Sequence, residues 1–183
     1  TDYVFQMMDM ISKLISLSFA YPTDDGHVFF EVAKFSDYGR LSNKKLSELK
    51  EGVRIENEDS KKNSLDFVLW KPSTNEEPGW DSPWGRGRPG WHIECSAMAK
   101  DILGEQFDIH GGGIDLIFPH HENEIAQSTC SNDMKKFANF WLHNGFLKIE
   151  GEKMSKSLNN FLTVFDLIKK DFSGPAIRYN MLS

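Results

Sequence analysis

The hydrophobic positions change rhythm along this chain. In the opening stretch Val4, Met7, Met8, Ile11, Leu14 and Ile15 recur at three- and four-residue intervals, which lines one face of an amphipathic helix. Met7, Met8 and Met10 read as core filler rather than a metal-binding cluster, because methionine packs irregular gaps. Tyr21–Gly26 (YPTDDG) is a turn. His27–Val32 (HVFFEV) is rich in β-favouring residues and predicts a strand that packs with the first helix. Leu41–Asn63 is polar. Ser42 is placed to cap a short helix through Leu49, and the charge run from Glu56 to Lys62 reads as a solvated loop. Leu65–Trp70 (LDFVLW) predicts a buried strand.

Lys71–Pro89 then carries prolines, glycines and two tryptophans in a long loop. Structureless loops of this length are uncommon in a compact domain unless they are functional. Trp80 and Trp84 are expected to anchor it, and Arg86 and Arg88 either meet phosphate or stay solvated. Further on, His92–Leu103 predicts a helix stopped by Gly104. Phe107–His110 predicts a short strand ahead of a glycine turn. Pro119 predicts the first position of a helix running to about Thr129. Trp141–Ile149 predicts a strand interrupted by Gly145. Thr163 is placed to cap a helix over Val164–Lys170, and Pro175 to open a last one. Helices alternating with strands predict an α/β fold.

Composition narrows the class. Of 183 residues 39% are hydrophobic and 26% charged, ordinary for a soluble globular chain. No apolar run approaches the roughly 18 residues that span a bilayer, so no membrane segment is expected. Two cysteines, Cys95 and Cys130, are too few for a disulfide framework and suit a reducing, cytoplasmic setting. The net charge of -6 is unlike a dedicated nucleic-acid module, which is usually basic. Any RNA contact would be made by local patches or by parts of a larger protein, so the charge neither supports nor excludes an RNA partner.

Three clusters carry chemistry. His120 and Glu124 are four apart in Pro119-His120-His121-Glu122-Asn123-Glu124, so a helix opened by Pro119 would put both on one face, within reach of one cation. His121 is three before Glu124, so spacing does not choose between the histidines; Glu122 points to another face. Cys95 offers a thiolate from a different helix, and a Cys, His and carboxylate set suits zinc. Unaided, such a run is ordinarily a solvated helix end. Secondly, the glycines of His110-Gly111-Gly112-Gly113 follow a strand and let backbone approach a ligand. Thirdly, Lys153-Met154-Ser155-Lys156-Ser157 places two ammonium groups and two hydroxyls in a short loop. A bare Lys-x-x-Lys pair is ordinarily a solvated basic loop.

Taken in order, Gly90-Trp91-His92-Ile93-Glu94-Cys95, the glycine turn, the His-His-Glu-Asn-Glu run and Lys153–Ser157 resemble the cysteinyl-tRNA synthetase family of class I aminoacyl-tRNA synthetases. The resemblance runs from Thr1 to Ser183 and is strongest over Leu65–Asn160. It implies the second half of a Rossmann-type catalytic domain with an incomplete sheet. Residues 1–63 would be a connective insert, 65–150 the half-domain with the zinc site, and 151–183 the nucleotide loop and the start of a helical region. It also implies Cys95, His120 and Glu124 as zinc ligands, and Trp91 and His92 in the amino-acid pocket, although Trp91 reads equally well as core packing. His110, Gly112, Asp115, Ser155 and Lys156 would hold ATP, Asp115 through the ribose, with Lys153 and Lys156 the catalytic lysines.

The implied activity is ATP-dependent activation of cysteine and its transfer to tRNA(Cys). Zinc would select the substrate thiol, and magnesium would accompany ATP. The full-length enzyme would be a monomer in the cytoplasm, with no membrane partner. Nothing in the chain reads His-Ile-Gly-His, and the family's N-terminal Cys ligand has no counterpart, so the expectation is an internal fragment that is inactive alone. Two other readings stand beside it: a related ligase of thiol biosynthesis that joins cysteine to an amino-sugar inositol, and a non-catalytic zinc-binding interaction module.

Overall fold

The computed structural model describes residues 2–45, 60–149, 151–155 and 157–182. Its first helix, α1 (Val4–Ser16), follows the apolar periodicity: Val4, Met7, Met10, Ile11 and Leu14 are buried and Met8 packs against the same core. Strands β1 (Ala20–Pro22), β2 (Val28–Phe30), β3 (Phe67–Pro72) and β4 (Gly87–Pro89) form an antiparallel sheet in the order β1-β2-β3-β4. Ala20 pairs with Phe30, Phe30 with Phe67 and Trp70 with Pro89. Val28, Phe29, Phe30, Leu69 and Trp70 are fully buried. The strands on either side of residues 46–59 therefore share one sheet.

The predicted long loop is shorter than expected, because β3 extends to Pro72 and β4 begins at Gly87. Trp84 lies 5.8 Å from the Trp70 ring, and Trp80 exchanges backbone hydrogen bonds with Gly87. Both tryptophans anchor the loop as expected. Arg86 donates to the Gly79 and Glu77 carbonyls, and Arg88 to Ser73 Oγ beside the Glu77 carboxylate. These arginines brace the loop. Gly90 must be glycine, since a Cβ there would lie 2.1 Å from the Val68 carbonyl oxygen.

Helix α2 (Ile93–Leu103) ends at Gly104, whose φ of 91° suits glycine. Strand β5 (Phe107–Gly113) pairs with β6 (Ala138–Asn144). Phe107 N–H donates to the Phe137 carbonyl, and Gly111 backs onto Leu142. Contacts that advance together along both strands make the pair parallel, and α3 (Glu122–Ser131) is part of its crossover. The fold is thus mixed α/β, with an antiparallel sheet and a parallel pair.

The backbone breaks at Phe118, which is extended (φ -137°, ψ 133°), and is helical from Pro119 as expected, with a wide first turn through His121 that runs straight into Glu122–Ser131. His120 and Glu124 therefore belong to one continuous helical stretch. Ser42 does differ from the expectation: its hydroxyl donates to Glu122 at 2.7 Å and Asn43, Lys44 and Lys45 are not helical, while residues 46–49 of the predicted helix fall outside the described residues, as does most of the Glu56–Lys62 run.

Residues Thr1–His143 form one compact unit and Asn144–Ser183 another. In the second, β7 (Lys148–Ile149) and β8 (Glu152–Lys153) make a hairpin turning at Gly151, φ 85°. Strand β6 stops at Asn144, so Trp141–Ile149 is two strands. Thr163 caps α4 (Val164–Lys169) in a reciprocal box with Asp166, and α5 spans Gly174–Leu182. Among the described residues no helix is long and apolar enough to cross a membrane.

Candidate functional site

Helices α2 and α3 are joined by polar bonds. Gln127 Nε2 donates to the His92 carbonyl at 2.6 Å and to Ser96 Oγ at 2.7 Å. Helix α3 is buried nearly all round, and much of what it buries is polar: Glu122, Asn123, Glu124, Gln127 and Ser128. Burying such groups is costly unless each finds a partner. The pattern therefore marks a built site more than a packing surface.

Its centre is Glu124. One carboxylate oxygen, Oε2, is buried and lies 2.8 Å from His110 Nε2 on β5, without a well-directed hydrogen-bond donor. His110, His121 and Glu124 each present a ligand atom, all within 4.8 Å of one another. Gly112 makes room, because a Cβ there would sit 3.0 Å from the His121 ring. Around them, His110 packs edge-on against His121 at 4.7 Å and Trp141 at 4.8 Å. His121 Nδ1 lies 2.8 Å from His143 Nε2. Burial is the main cause holding the His121 pKa down, to about 4, with the His110, His143 and His120 charges pushing the same way and Glu124 opposing. A neutral imidazole keeps a lone pair for a cation.

The other predicted ligands lie nearby but are engaged differently. Cys95, in the first turn of α2, is exposed as a residue. Protein atoms crowd its thiol, and with the Glu124 and Glu94 charges they raise its pKa. A cation among sulfur, imidazole and carboxylate would relieve that repulsion, so the donor chemistry fits zinc. His120 turns toward α2, with Nδ1 2.8 Å from His92 Nε2. His92 is buried, and its pKa is lowered to about 4 by burial and then by the two neighbouring histidines. Trp91 is 77% exposed and stacks beside His92 with its ring 4.8 Å from His120. That removes the core-packing reading of Trp91.

The residues expected to hold a nucleotide fall in both compact units. Asp115 is exposed in the short turn Ile114–Leu116, its carboxylate folded toward Gly113. In the second unit Lys153 Nζ lies 3.5 Å from the Phe146 ring centroid. Ser155 N–H donates to Asn160 Oδ1, and Ser155 Oγ meets Ser157 Oγ at 3.1 Å. Lys156 lies outside the described residues. The sequence reasoning missed His143. The signal for it was the two-residue step from Trp141 to His143 on one face of β6.

Comparison with known proteins gives the family. The model of the tRNA synthetases class I (C) catalytic domain matches residues 1–183. The cysteine–tRNA ligase of Pelagibacter ubique is 60% identical over 183 residues, covering 100% of this chain and 40% of that protein. Those of Paramagnetospirillum magneticum and Paracoccus denitrificans are 61% and 57% identical, covering 100% of this chain and 39% of each. The chain thus spans about two fifths of the length of these curated relatives. With every residue from 1 to 183 inside the family match, the chain belongs to the class I tRNA synthetase catalytic-domain family.

Proposed function

We propose that this chain is part of a cysteine–tRNA ligase, which activates cysteine with ATP and transfers it to tRNA(Cys). The observation that carries the reading is the buried Glu124 oxygen, faced by imidazoles and close enough to Cys95 to raise its pKa. The identity to cysteine–tRNA ligases over the whole chain supports it. Within the larger protein, residues 1–63 would be a connective insert, 65–150 the second Rossmann-type half and 151–183 the nucleotide loop with the start of a helical region.

Cys95, His120 and Glu124 would hold zinc, with His110 and His121 against the same carboxylate. Zinc binds sulfur much more strongly than a neutral hydroxyl, so it would separate cysteine from serine where shape alone discriminates near-isosteres only about 100-fold. Trp91 and His92 would wall the amino-acid pocket. The substrate carboxylate would attack the α-phosphate of magnesium-bound ATP and expel pyrophosphate. Lys153 and Lys156 would meet the charge that grows on the leaving group, an interaction stronger in the transition state than in the ground state. Asp115 would accept hydrogen bonds from the ribose, while Gly112 and His110 bring backbone and imidazole close to the nucleotide.

ATP–pyrophosphate exchange by the full-length protein tests this. Exchange that depends on cysteine and not serine, followed by charging of tRNA(Cys), is expected. Transfer to an amino-sugar acceptor in place of tRNA would instead support the thiol-biosynthesis ligase. No exchange at all, with Lys156→Ala indistinguishable from wild type, would leave the binding module.

A further inference from the structure

A line of hydrogen bonds connects a distant loop to the histidines. Tyr38 Oη donates to Asn123 Oδ1 at 2.5 Å, Asn123 Nδ2 lies 3.3 Å from His92 Nδ1, and His92 Nε2 lies 2.8 Å from His120 Nδ1. Tyr38, Asn123 and His92 are all buried. The preceding residue of α3 grips the same loop: Glu122 accepts from Leu41 N–H, Ser42 N–H and the Ser42 hydroxyl. Two consecutive side chains of α3 thus bind the segment 38–42, one by charge and one by an amide.

We infer that Tyr38 and Asn123 are positioning residues that set the ring orientation and tautomer of His92, and through it the orientation of His120. The inference rests on the reading of His120 and His92 as site residues. The directions follow from the donor inventory. Tyr38 Oη donates to Asn123 Oδ1, so the NH₂ of Asn123 is the group that faces His92. His92 Nδ1 accepts, its proton sits on Nε2, and that N–H points at His120 Nδ1. A neutral imidazole carries one N–H, so His92 is fixed at both nitrogens.

The same line can run the other way without any group changing charge. Zinc on His120 Nε2 would require the His120 proton on Nδ1. His120 would then donate to His92, His92 to Asn123 with its amide turned over, and Asn123 to the Tyr38 oxygen. Metal-bound histidines are commonly oriented by such outer partners, whose loss costs about 10- to 100-fold in affinity or activity. Either direction needs the Tyr38 oxygen.

The test uses the full-length protein with ¹⁵N-labelled histidine, the His92 signals being assigned by their loss in His92→Gln. Without metal, His92 is expected in one tautomer, protonated on Nε2; zinc should switch it to Nδ1–H. Tyr38→Phe should mix the tautomers and raise KM for cysteine about tenfold with KM for ATP unchanged. Combined with Asn123→Ala, it should add nothing to the loss from Asn123→Ala alone. A wild-type His92 that samples both tautomers without metal overturns the inference even if no variant folds. So does Tyr38→Phe with wild-type KM and spectrum, or losses that simply add. A wild-type protein that fails to activate cysteine would instead overturn the functional reading, with the metal-free tautomer result still standing.

Discussion

Helices α1 and α3 are both buried, and they are buried in opposite ways. Helix α1 turns Val4, Met7, Met10, Ile11 and Leu14 inward. Helix α3 buries Glu122, Asn123, Glu124, Gln127, Ser128 and Thr129, with Ala126 and Cys130 its apolar contribution to the core. An apolar side chain gains from leaving water at any point of the core. A buried polar side chain gains only where a partner stands in the right direction. Helix α1 therefore constrains volume, while α3 constrains geometry. Glu122 meets two backbone N–H groups and a hydroxyl, and Gln127 meets a carbonyl and a hydroxyl. Glu124 faces imidazoles with an oxygen that no donor addresses well.

The contrast can be broken at its strongest point first. Glu124→Gln keeps the shape and removes the charge. In the full-length protein it should lower zinc content and reduce cysteine-dependent pyrophosphate exchange by about 100-fold or more, with folding retained by circular dichroism. Metal analysis of Cys95→Ser probes the same site from α2 and should show weakened zinc binding.

On α1, Leu14→Ala should cost about 2–5 kcal/mol of stability, read from urea unfolding, while the protein that remains folded binds zinc normally. Loss of zinc in folded Leu14→Ala would mean the two helices are not separable in function.

Gln127→Leu sharpens the comparison at lower cost. It strips donors from the His92 carbonyl and Ser96 Oγ, but it also removes Gln127 Oε1, which is buried without a partner. The net loss should be about 1–2 kcal/mol. A gain in stability would show that α3 is held by volume, like α1.

The smallest effect is alkaline. Burial pushes the Cys130 thiol up to about 12 from 9.0 and raises the Tyr38 and Tyr21 hydroxyls. The unfolded chain gives up these protons first, so the folded state holds more of them above pH 9 and stability falls as pH rises. Urea midpoints should drop between about pH 8 and about pH 10, and less so in Cys130→Ala.

This contrast also explains what the sequence could reveal. Helix α1 was legible because apolar spacing alone defines it. The stop at Gly104 and the Thr163 cap were legible because single residues produce them, and Thr163 with Asp166 closes the box. So was the start of α3, since the helical backbone begins at Pro119, behind an extended Phe118. Ser42 looked like a cap because its local neighbours suit one, but its hydroxyl is taken by Glu122, eighty residues away. The antiparallel pairing of β2 with β3 likewise depends on long-range contacts. At the site, residue types were readable and partners were not. Spacing left His120 and His121 equivalent, whereas the structure turns His120 to His92 and His121 to His110 and Glu124.

X-ray absorption at the zinc edge of the full-length protein addresses the central claim directly. The account predicts a sulfur shell near about 2.3 Å that loses amplitude in Cys95→Ser and gains it when cysteine, but not serine, is added. A shell of nitrogen and oxygen alone, unchanged by either amino acid, would contradict it.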